Sequence, residues 1–155
     1  MTSEERINNQ KELVEKIGRY YEKEGFQPIA GRILGLLMIM DKEQFTFDEI
    51  VSELLISKSS ASNALRNLEI RGDIEYITLP GDRKRYFQLK KKNVSNIFEE
   101  FEDKMKTAKD LFHYIIELKE DKNSNNAKYM EDLIKIIEFL LKEIHAAKLQ
   151  FNNSK

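Results

Sequence analysis

The sequence of 155 residues contains no cysteine, and it has no long uninterrupted apolar segment. Without cysteine, the chain cannot form a disulfide framework or a thiolate metal site. The longest apolar run, residues 33–40, is interrupted by Gly35 and is far shorter than the roughly 20 residues that span a bilayer. The charged start of the chain shows no secretory signal. These absences argue against a disulfide-stabilised or membrane-bound protein and favour a cytoplasmic one.

Candidate catalytic groups are also scarce. The two histidines, His113 and His145, lie in predicted helices among apolar residues, which is typical of packing or interface positions rather than of a paired metal site. The acidic cluster at residues 99–103, which includes Glu102, is expected on the outer face of a long helix. No glycine has the spacing after a strand that a phosphate-binding loop needs. We therefore expect no enzyme activity, no bound metal and no cofactor.

Two short helical patterns joined by a tight turn lie between residues 46 and 69. Thr46 is expected to cap the first helix, and Glu49, three residues later, completes a capping box. Ile56 is expected in the turn, and Ser57 is expected to cap a second helix over residues 58–69. Apolar residues recur at helical spacing in the first helix, namely Phe47, Ile50, Val51, Leu54 and Leu55. The order of these elements predicts a helix-turn-helix.

The second helix is predicted to have two different faces, given about 100° of rotation per residue. Its small and aliphatic residues share the face that is expected to pack inward: Ala61, Ala64, Leu65 and Leu68. The opposite face carries hydroxyls, an amide and a guanidinium: Ser59, Ser62, Asn63 and Arg66. Such side chains allow close approach to a groove of duplex DNA and form hydrogen bonds with phosphates and base edges. The alternative is a polar surface that only contacts solvent.

A β-hairpin is predicted directly after the second helix. Gly72 is expected to end the helix, and residues 74–79 and 85–89 alternate as two paired strands around a turn at residues 80–82. From Ser57 to Lys92, nine basic and four acidic residues give a net charge of +5, so the rest of the chain totals −6. A charged run is often only solvated surface, but this one coincides with the polar helix and the hairpin tip. We therefore expect a winged helix-turn-helix that binds double-stranded DNA.

The predicted fold is mainly α with a small β-hairpin wing. The expected DNA-binding residues lie at the cap of the second helix, along that helix and at the hairpin tip. They are Ser57, Lys58, Ser59, Ser60, Ser62, Asn63, Arg66, Arg83, Lys84 and Arg85. Because the whole chain has a net charge of −1, specificity is expected to come from groove contacts rather than from strong nonspecific attraction.

Residues 46–89 resemble the winged helix of MarR-type transcriptional regulators. The segment at residues 25–37, together with the serine-rich start of the second helix and the hairpin tip, is similar to the branch typified by the glycine betaine synthesis repressor. The resemblance implies a symmetric dimer with the second helix in the major groove and the wing in the flanking minor groove. It also implies that Asp82 pairs with one arginine to steady the wing while an arginine reaches the DNA, and both Arg83 and Arg85 are candidates for either role.

Amphipathic helices are predicted on both sides of the winged region. One covers about residues 3–24, and Pro28 opens the next, in which Gly31 and Gly35 indicate close helix packing. Beyond the wing, two further helices carry apolar residues every three or four positions.

The apolar faces of these flanking helices predict an obligate homodimer. We expect dimerisation helices at residues 1–24 and 93–155 around a DNA-binding domain at residues 25–92. The alternative is that the last two helices fold back on each other within a monomer.

These expectations favour a sequence-specific transcriptional regulator, most simply a dimeric repressor at a palindromic operator. A small-molecule effector of unidentified chemistry is expected to shift the spacing of the two reading helices. The alternative is a winged-helix module that binds another protein, since the fold alone does not require DNA binding. Salt separates the two hypotheses, because phosphate contacts weaken steeply with salt and a mainly apolar protein contact does not.

Overall fold

In the computed structural model, which describes residues 1–154, the chain forms six helices and three short strands. In chain order these are α1 (Ser3–Lys23), α2 (Pro28–Ile39), β1 (Phe45–Thr46), α3 (Phe47–Leu54), α4 (Lys58–Arg71), β2 (Ile74–Thr78), β3 (Arg85–Leu89), α5 (Asn96–Leu118) and α6 (Asn125–Asn153). The chain divides into two compact units, residues 1–91 and the residues from 92 onward. The mainly helical fold with a small antiparallel sheet confirms the predicted fold class. No helix within residues 1–154 is long and apolar enough to cross a membrane.

Helices α1 and α2 approach each other closely in the first unit. A Cβ atom built on Gly31 would lie 2.8 Å from the carbonyl oxygen of Gly18, and one built on Gly35 would lie 2.9 Å from that of Val14. Both glycines therefore allow backbone contacts that a larger side chain would prevent. The predicted close packing is confirmed, and Gly18 is a third small residue that the sequence pattern did not single out.

The core of the first unit is built from all four of its helices and all three strands. The largest fully buried side chains are Ile33 of α2, Ile50 of α3, Leu68 of α4 and Ile74 of β2. Burying one such side chain contributes roughly 1.5–3 kcal/mol. The helix-turn-helix and the hairpin are therefore held by one shared core rather than by local propensity alone.

The start of α3 is as predicted. The Thr46 amide donates to Oε2 of Glu49 at 2.8 Å, and the Glu49 amide donates to Oγ1 of Thr46 at 3.3 Å. This reciprocal pair is the capping box, and it provides partners for two amides at the helix start.

The turn between α3 and α4 differs from the prediction at one position. Leu55 was expected to belong to the apolar face of α3, but it lies after the helix with φ +52°, and its side chain is 91% exposed. Ile56 packs against the core instead. The chain reverses at Leu55, and the side chain there points to solvent. Helix α4 then continues to Arg71 and ends, as predicted, at Gly72, whose φ is +75°.

The sheet contains one strand more than the sequence predicted. Strands β2 and β3 form the expected antiparallel hairpin, with Tyr76 opposite Phe87. Strand β1 adds to the other side of β3, where Phe45 lies opposite Phe87, so the strand order is β1-β3-β2. With only two residues, β1 is too short to show an alternating pattern. Its pairing places the start of α3 beside the hairpin.

In the second unit, α5 and α6 pack against each other as a helical hairpin. Phe98 near the start of α5 contacts Phe151 near the end of α6, with ring centroids 5.7 Å apart, so the helices run antiparallel. Glu102 is buried, contrary to the expected position on the outer face. It lies between the helices, with Oε2 3.8 Å from Nζ of Lys148 and Oε1 3.7 Å from Nδ1 of His145. The periodicity that placed it outside did not account for these partners.

Candidate nucleic-acid interface

Serine hydroxyls at the start of α4 form the helix cap. Oγ of Ser57 accepts a hydrogen bond from the amide of Ser60 at 3.1 Å. The Ser57 hydroxyl also donates to Oγ of Ser60 at 2.8 Å and lies 3.2 Å from Oγ of Ser59. The predicted cap is confirmed. Because Ser57 and Ser60 already bind each other, these two residues fix where α4 begins.

The two faces of α4 are divided as the sequence predicts. Its small and aliphatic side chains are buried in the core: Ala61, Ala64, Leu65 and Leu68. Lys58 and the polar residues of the opposite face are exposed: Ser59, Ser62, Asn63 and Arg66. The helix therefore offers a polar surface on its solvent side from Lys58 to Arg66, and Ile70, 78% exposed, lies beyond it near the end of the helix.

Hydrogen bonds to Asp82 organise the turn between β2 and β3. Oδ1 of Asp82 accepts from the amide of Lys84 at 2.9 Å, and Oδ2 accepts from the hydroxyl of Tyr86 at 2.6 Å. The Tyr86 bond is the main reason why the pKa of Asp82 lies below its usual value, and the same bond raises the pKa of Tyr86. Gly81, with φ +77°, supplies the left-handed residue that the turn needs.

The wing is steadied differently from the arrangement that the family resemblance implied. Among the described residues, no ion pair joins Asp82 to Arg83 or Arg85; Tyr86 and the Lys84 amide take both carboxylate oxygens. The guanidinium of Arg85 lies over the Tyr76 ring, 4.5 Å from its centroid. Successive side chains of a strand point to opposite faces, so Arg85 and Tyr86 cannot both turn toward Asp82.

A groove of about 450 Å³ separates α4 from the wing. Five of the ten predicted contact residues line it: Ser62, Arg66, Arg83, Lys84 and Arg85. The other five lie at the cap or elsewhere on the exposed side of α4: Ser57, Lys58, Ser59, Ser60 and Asn63. The start of α3, including Thr46 and Asp48, forms another wall that the sequence did not predict, because the pairing of β1 brings it there.

The groove is predominantly cationic. Four of its lining side chains are arginine or lysine, whereas Asp48 and Glu69 are its acidic members. Within residues 1–154, no group of three histidine, cysteine or acidic residues is arranged to hold a metal ion. Positive charge with flanking hydroxyls suits binding of phosphate and of base edges better than acid-base chemistry.

Part of the chain is similar to known proteins. Residues 24–85 match the model of the MarR family. The chain is 37% identical over 79 residues to the HTH-type transcriptional regulator MmpR5 of Mycobacterium tuberculosis (strain ATCC 25618 / H37Rv). That alignment covers 51% of this chain and 48% of MmpR5, so the chain spans about half the length of the curated relative it matches.

Two solved structures provide a comparison of folds. A crystal structure of a transcriptional regulator has a TM-score of 0.69 and 24% identity, covering 94% of this chain and 99% of that chain, and this likeness shows the fold alone. A crystal structure of a MepR mutant from a multidrug-resistant S. aureus clinical isolate has a TM-score of 0.41 and 20% identity, covering 90% and 98%. That second likeness is too low to support an argument.

Proposed function

We propose that the chain is a sequence-specific transcriptional regulator that binds double-stranded DNA, because residues 24–85 match the MarR family model. In this proposal α4 enters the major groove and the wing contacts the flanking minor groove. The proposed contacts are Ser57, Lys58, Ser59, Ser60, Ser62, Asn63, Arg66, Arg83, Lys84 and Arg85. The likeness of residues 25–37 to the glycine betaine synthesis repressor branch belongs to the same proposal. MarR-family proteins are regulators rather than enzymes, and we propose no catalytic role.

The unpaired cations of the groove carry this proposal. Within residues 1–154, the side chains of Arg66, Arg83 and Lys84 form no ion pair and no hydrogen bond, although all three line the same groove. Their charges are therefore available to phosphate groups, and each phosphate contact releases counterions from the duplex. Arg66 also lies on the exposed face of α4, where a guanidinium can bind the edge of a guanine in bidentate fashion.

The polar face of α4 favours close approach to DNA. Ser59, Ser62 and Asn63 are short side chains, so the helix backbone can lie deep in a major groove. The amides at the start of α4 carry the positive end of the helix dipole, which favours a nearby phosphate. The cap formed by Ser57 and Ser60 fixes the direction of these groups.

A homodimer completes the proposal. Many large apolar side chains of α1, α5 and α6 are exposed, which suits residues 1–24 and 93–155 as dimerisation helices. Examples are Leu13 of α1, Phe101 and Leu111 of α5, and Ile136 and Phe139 of α6. A twofold protein matches a palindromic operator with half-sites about 10 base pairs apart. We propose a cytoplasmic repressor that an unidentified small molecule releases by shifting the spacing of the two α4 helices.

Selection from a random duplex library with purified full-length protein tests this function. The selection is made at about 50 and 200 mM salt, where phosphate-based binding differs steeply. We expect a palindromic sequence whose affinity falls with salt. Failure of the folded protein to enrich any sequence, or binding that does not respond to salt, would overturn the proposal in favour of a protein-binding module.

Variants of the groove assign the contacts. Arg66→Ala should relax preference at one base position and cost about 1–3 kcal/mol of specific binding. Arg83→Ala should weaken binding to all sequences and reduce the salt slope by about one unit. Arg19→Ala, an exposed arginine of α1 outside the groove, is the matched control. Binding of the Arg66 and Arg83 variants equal to that of the control would contradict the assignment.

A further inference from the structure

Arg32 of α2 joins three elements of the first unit through one guanidinium. Its Nε donates to Oε1 of Glu15 in α1 at 2.9 Å, and its Nη2 donates to the carbonyl oxygen of Leu54 at 3.0 Å. The same Nη2 lies 2.7 Å from Oε1 of Glu15. The contact with Leu54 lies at the end of α3, just before the turn that leads into α4.

The Leu54 carbonyl lies at the end of α3, where carbonyl groups lack hydrogen-bond donors from the same helix. The last four carbonyls of a helix have no donor within that helix. After Leu54 the chain passes through the left-handed Leu55, and the next amide, that of Ile56, donates back to Val51 at 3.2 Å. Arg32 thus supplies a donor for Leu54, and its positive charge is favourable at the negative end of the helix dipole.

Gly18 of α1 makes room for the aliphatic part of Arg32. A Cβ atom at Gly18 would lie 2.7 Å from Cγ of Arg32, so the arginine stem runs directly against the α1 backbone. The Arg32 side chain is only 28% exposed. A guanidinium held by a carboxylate, a carbonyl and a close helix face has little freedom to reorient, unlike a solvent-exposed ion pair.

The position of Leu54 affects the start of α4 because the connection is short. Three residues separate Leu54 from Lys58, the first residue of α4. The last of these, Ser57, caps the helix. A change at the Leu54 carbonyl therefore alters the direction in which the polar face of α4 leaves the turn.

We propose that Arg32 is a positioning residue for α4 and that Glu15 transmits the position of α1 to it. The inference rests on the proposed function, in which the relative direction of two α4 helices decides whether both half-sites are contacted. A displacement of α1 then reaches the turn through this side chain as well as through the packing of α1 on α2. This gives the regulator a defined connection from a flanking helix to its DNA-reading helix.

Hydrogen exchange of the full-length protein tests the connection without DNA. In Arg32→Met we expect the amides of Ile56 and Ala61, at the turn and the start of α4, to exchange about tenfold faster, because a hydrogen bond to a charged donor is lost. In Glu15→Gln we expect about a threefold increase at the same amides, since the Glu15 side chain is 48% exposed and its ion pair is partly screened by solvent. Amides of the β2–β3 hairpin serve as the internal reference, and Arg19→Met, the same substitution at an exposed arginine of α1, serves as the matched control.

Two exchange results would overturn the inference. If the hairpin amides accelerate as much as those of Ile56 and Ala61, Arg32 only contributes global stability. If Arg32→Met has a local effect but Glu15→Gln has none, the connection does not extend to α1. Glu15→Gln retains a side chain of the same size, so it keeps the test decisive if Arg32→Met fails to fold.

A DNA experiment then separates this inference from the proposed function. The probes are the palindromic duplex selected by the parent protein and the same duplex with one base pair added between its half-sites. We expect the parent to discriminate between them and Arg32→Met to lose about tenfold of that discrimination while keeping its salt slope. Unchanged discrimination by the folded variant would overturn the positioning role. If the parent selects no duplex, the proposed function fails, and the exchange experiment still decides the connection.

Discussion

The two compact units of this chain differ in how much of their apolar surface they bury within the unit. In residues 1–91, side chains from four helices and three strands pack into one core, and Ile33 and Leu68 are fully buried. In the described part of the second unit, the buried hydrophobic residues are Ala127, Ile134 and Ile137 alone. Phe139, in the same helix as the last two, is 64% exposed.

The difference shows that the same amphipathic pattern can either pack within a unit or leave apolar surface exposed. In the first unit, the apolar stripes of α2, α3 and α4 meet other elements of the same unit, and α1 buries Val14 there while its Leu13 is 38% exposed. In the second unit, a hairpin of two long helices covers only the facing strip of each, because two cylinders cannot bury their outer sides against each other. Apart from α1, the helices of the first unit thus cover their apolar stripes within that unit, whereas the second unit has a wide apolar surface available for a partner, which we propose is a second copy of the chain.

The largest expected effect is at the closed core. Ile33→Ala should lower the free energy of unfolding by about 2–5 kcal/mol, because it leaves a cavity among fully packed neighbours. Urea unfolding followed by circular dichroism measures this, since the chain has no tryptophan. Ile136→Ala removes the same atoms from a residue that is 55% exposed and should cost about 0.5 kcal/mol or less in dilute protein. If both variants lose the same free energy of unfolding, the two units do not differ in packing as described.

The second prediction concerns the open face. Phe139→Asp should weaken the proposed dimer by at least about 2 kcal/mol, because a charge replaces an aromatic anchor in the interface. Sedimentation equilibrium over a range of concentrations measures the change. Glu138→Lys, an exposed charge reversal in the same helix, should leave the association unchanged. A parent protein that is monomeric at all concentrations would show that this face has another role.

Sequence was most informative where one local rule decides the structure. Thr46 and Glu49 form their capping box within four residues, and Gly72 ends α4 because the chain needs a left-handed residue there. The hairpin followed from alternation on both sides of a turn. Each of these features depends on a short segment, so residues close together in the sequence are sufficient to predict it.

Features that depend on distant partners were not predictable in this way. Strand β1 exists because β3 pairs with it, and Glu102 is buried because α6 brings Lys148 and His145 beside it. Within the candidate site, the cationic wing and the polar face of α4 were visible in the sequence. The partner of Asp82 was not, because the choice between Arg85 and Tyr86 depends on the side of β3 that each residue occupies.

A smaller effect is expected in the wing, because polar contacts rather than core packing hold its turn. The pKa of Asp82 is lowered in the fold, so its contribution is present at neutral pH and is lost as pH falls below about 4. The pKa of Tyr86 is raised, so its contribution is lost only as pH rises above about 10. The amide resonance of Lys84, which donates to Asp82, should therefore be constant near neutral pH and shift as the pH falls below about 4.

Asp82→Asn is the matched variant for this titration. The amide cannot lose a proton, so the acidic shift of the Lys84 resonance should disappear while the core resonances of Ile50 and Leu68 keep their parent behaviour. If the acidic shift persists in Asp82→Asn, another carboxylate controls the wing.

Substitution of Leu55 has the smallest expected effect. It distinguishes an apolar residue that is exposed for a local backbone reason from one that is exposed in a proposed interface. It is 91% exposed in the first unit, but a local cause explains its position, since it supplies the left-handed turn with φ +52°. Leu55→Gly removes a conformational cost of about 1–2 kcal/mol and adds about 0.5–1 kcal/mol of backbone entropy, so it should stabilise the protein slightly. Thermal unfolding measures this, and Leu55→Ala, which keeps a Cβ, should gain nothing. Because no interface is proposed at Leu55, neither variant should alter the association that Phe139→Asp weakens; a loss of dimer in both would mean that the turn between α3 and α4 also binds a partner.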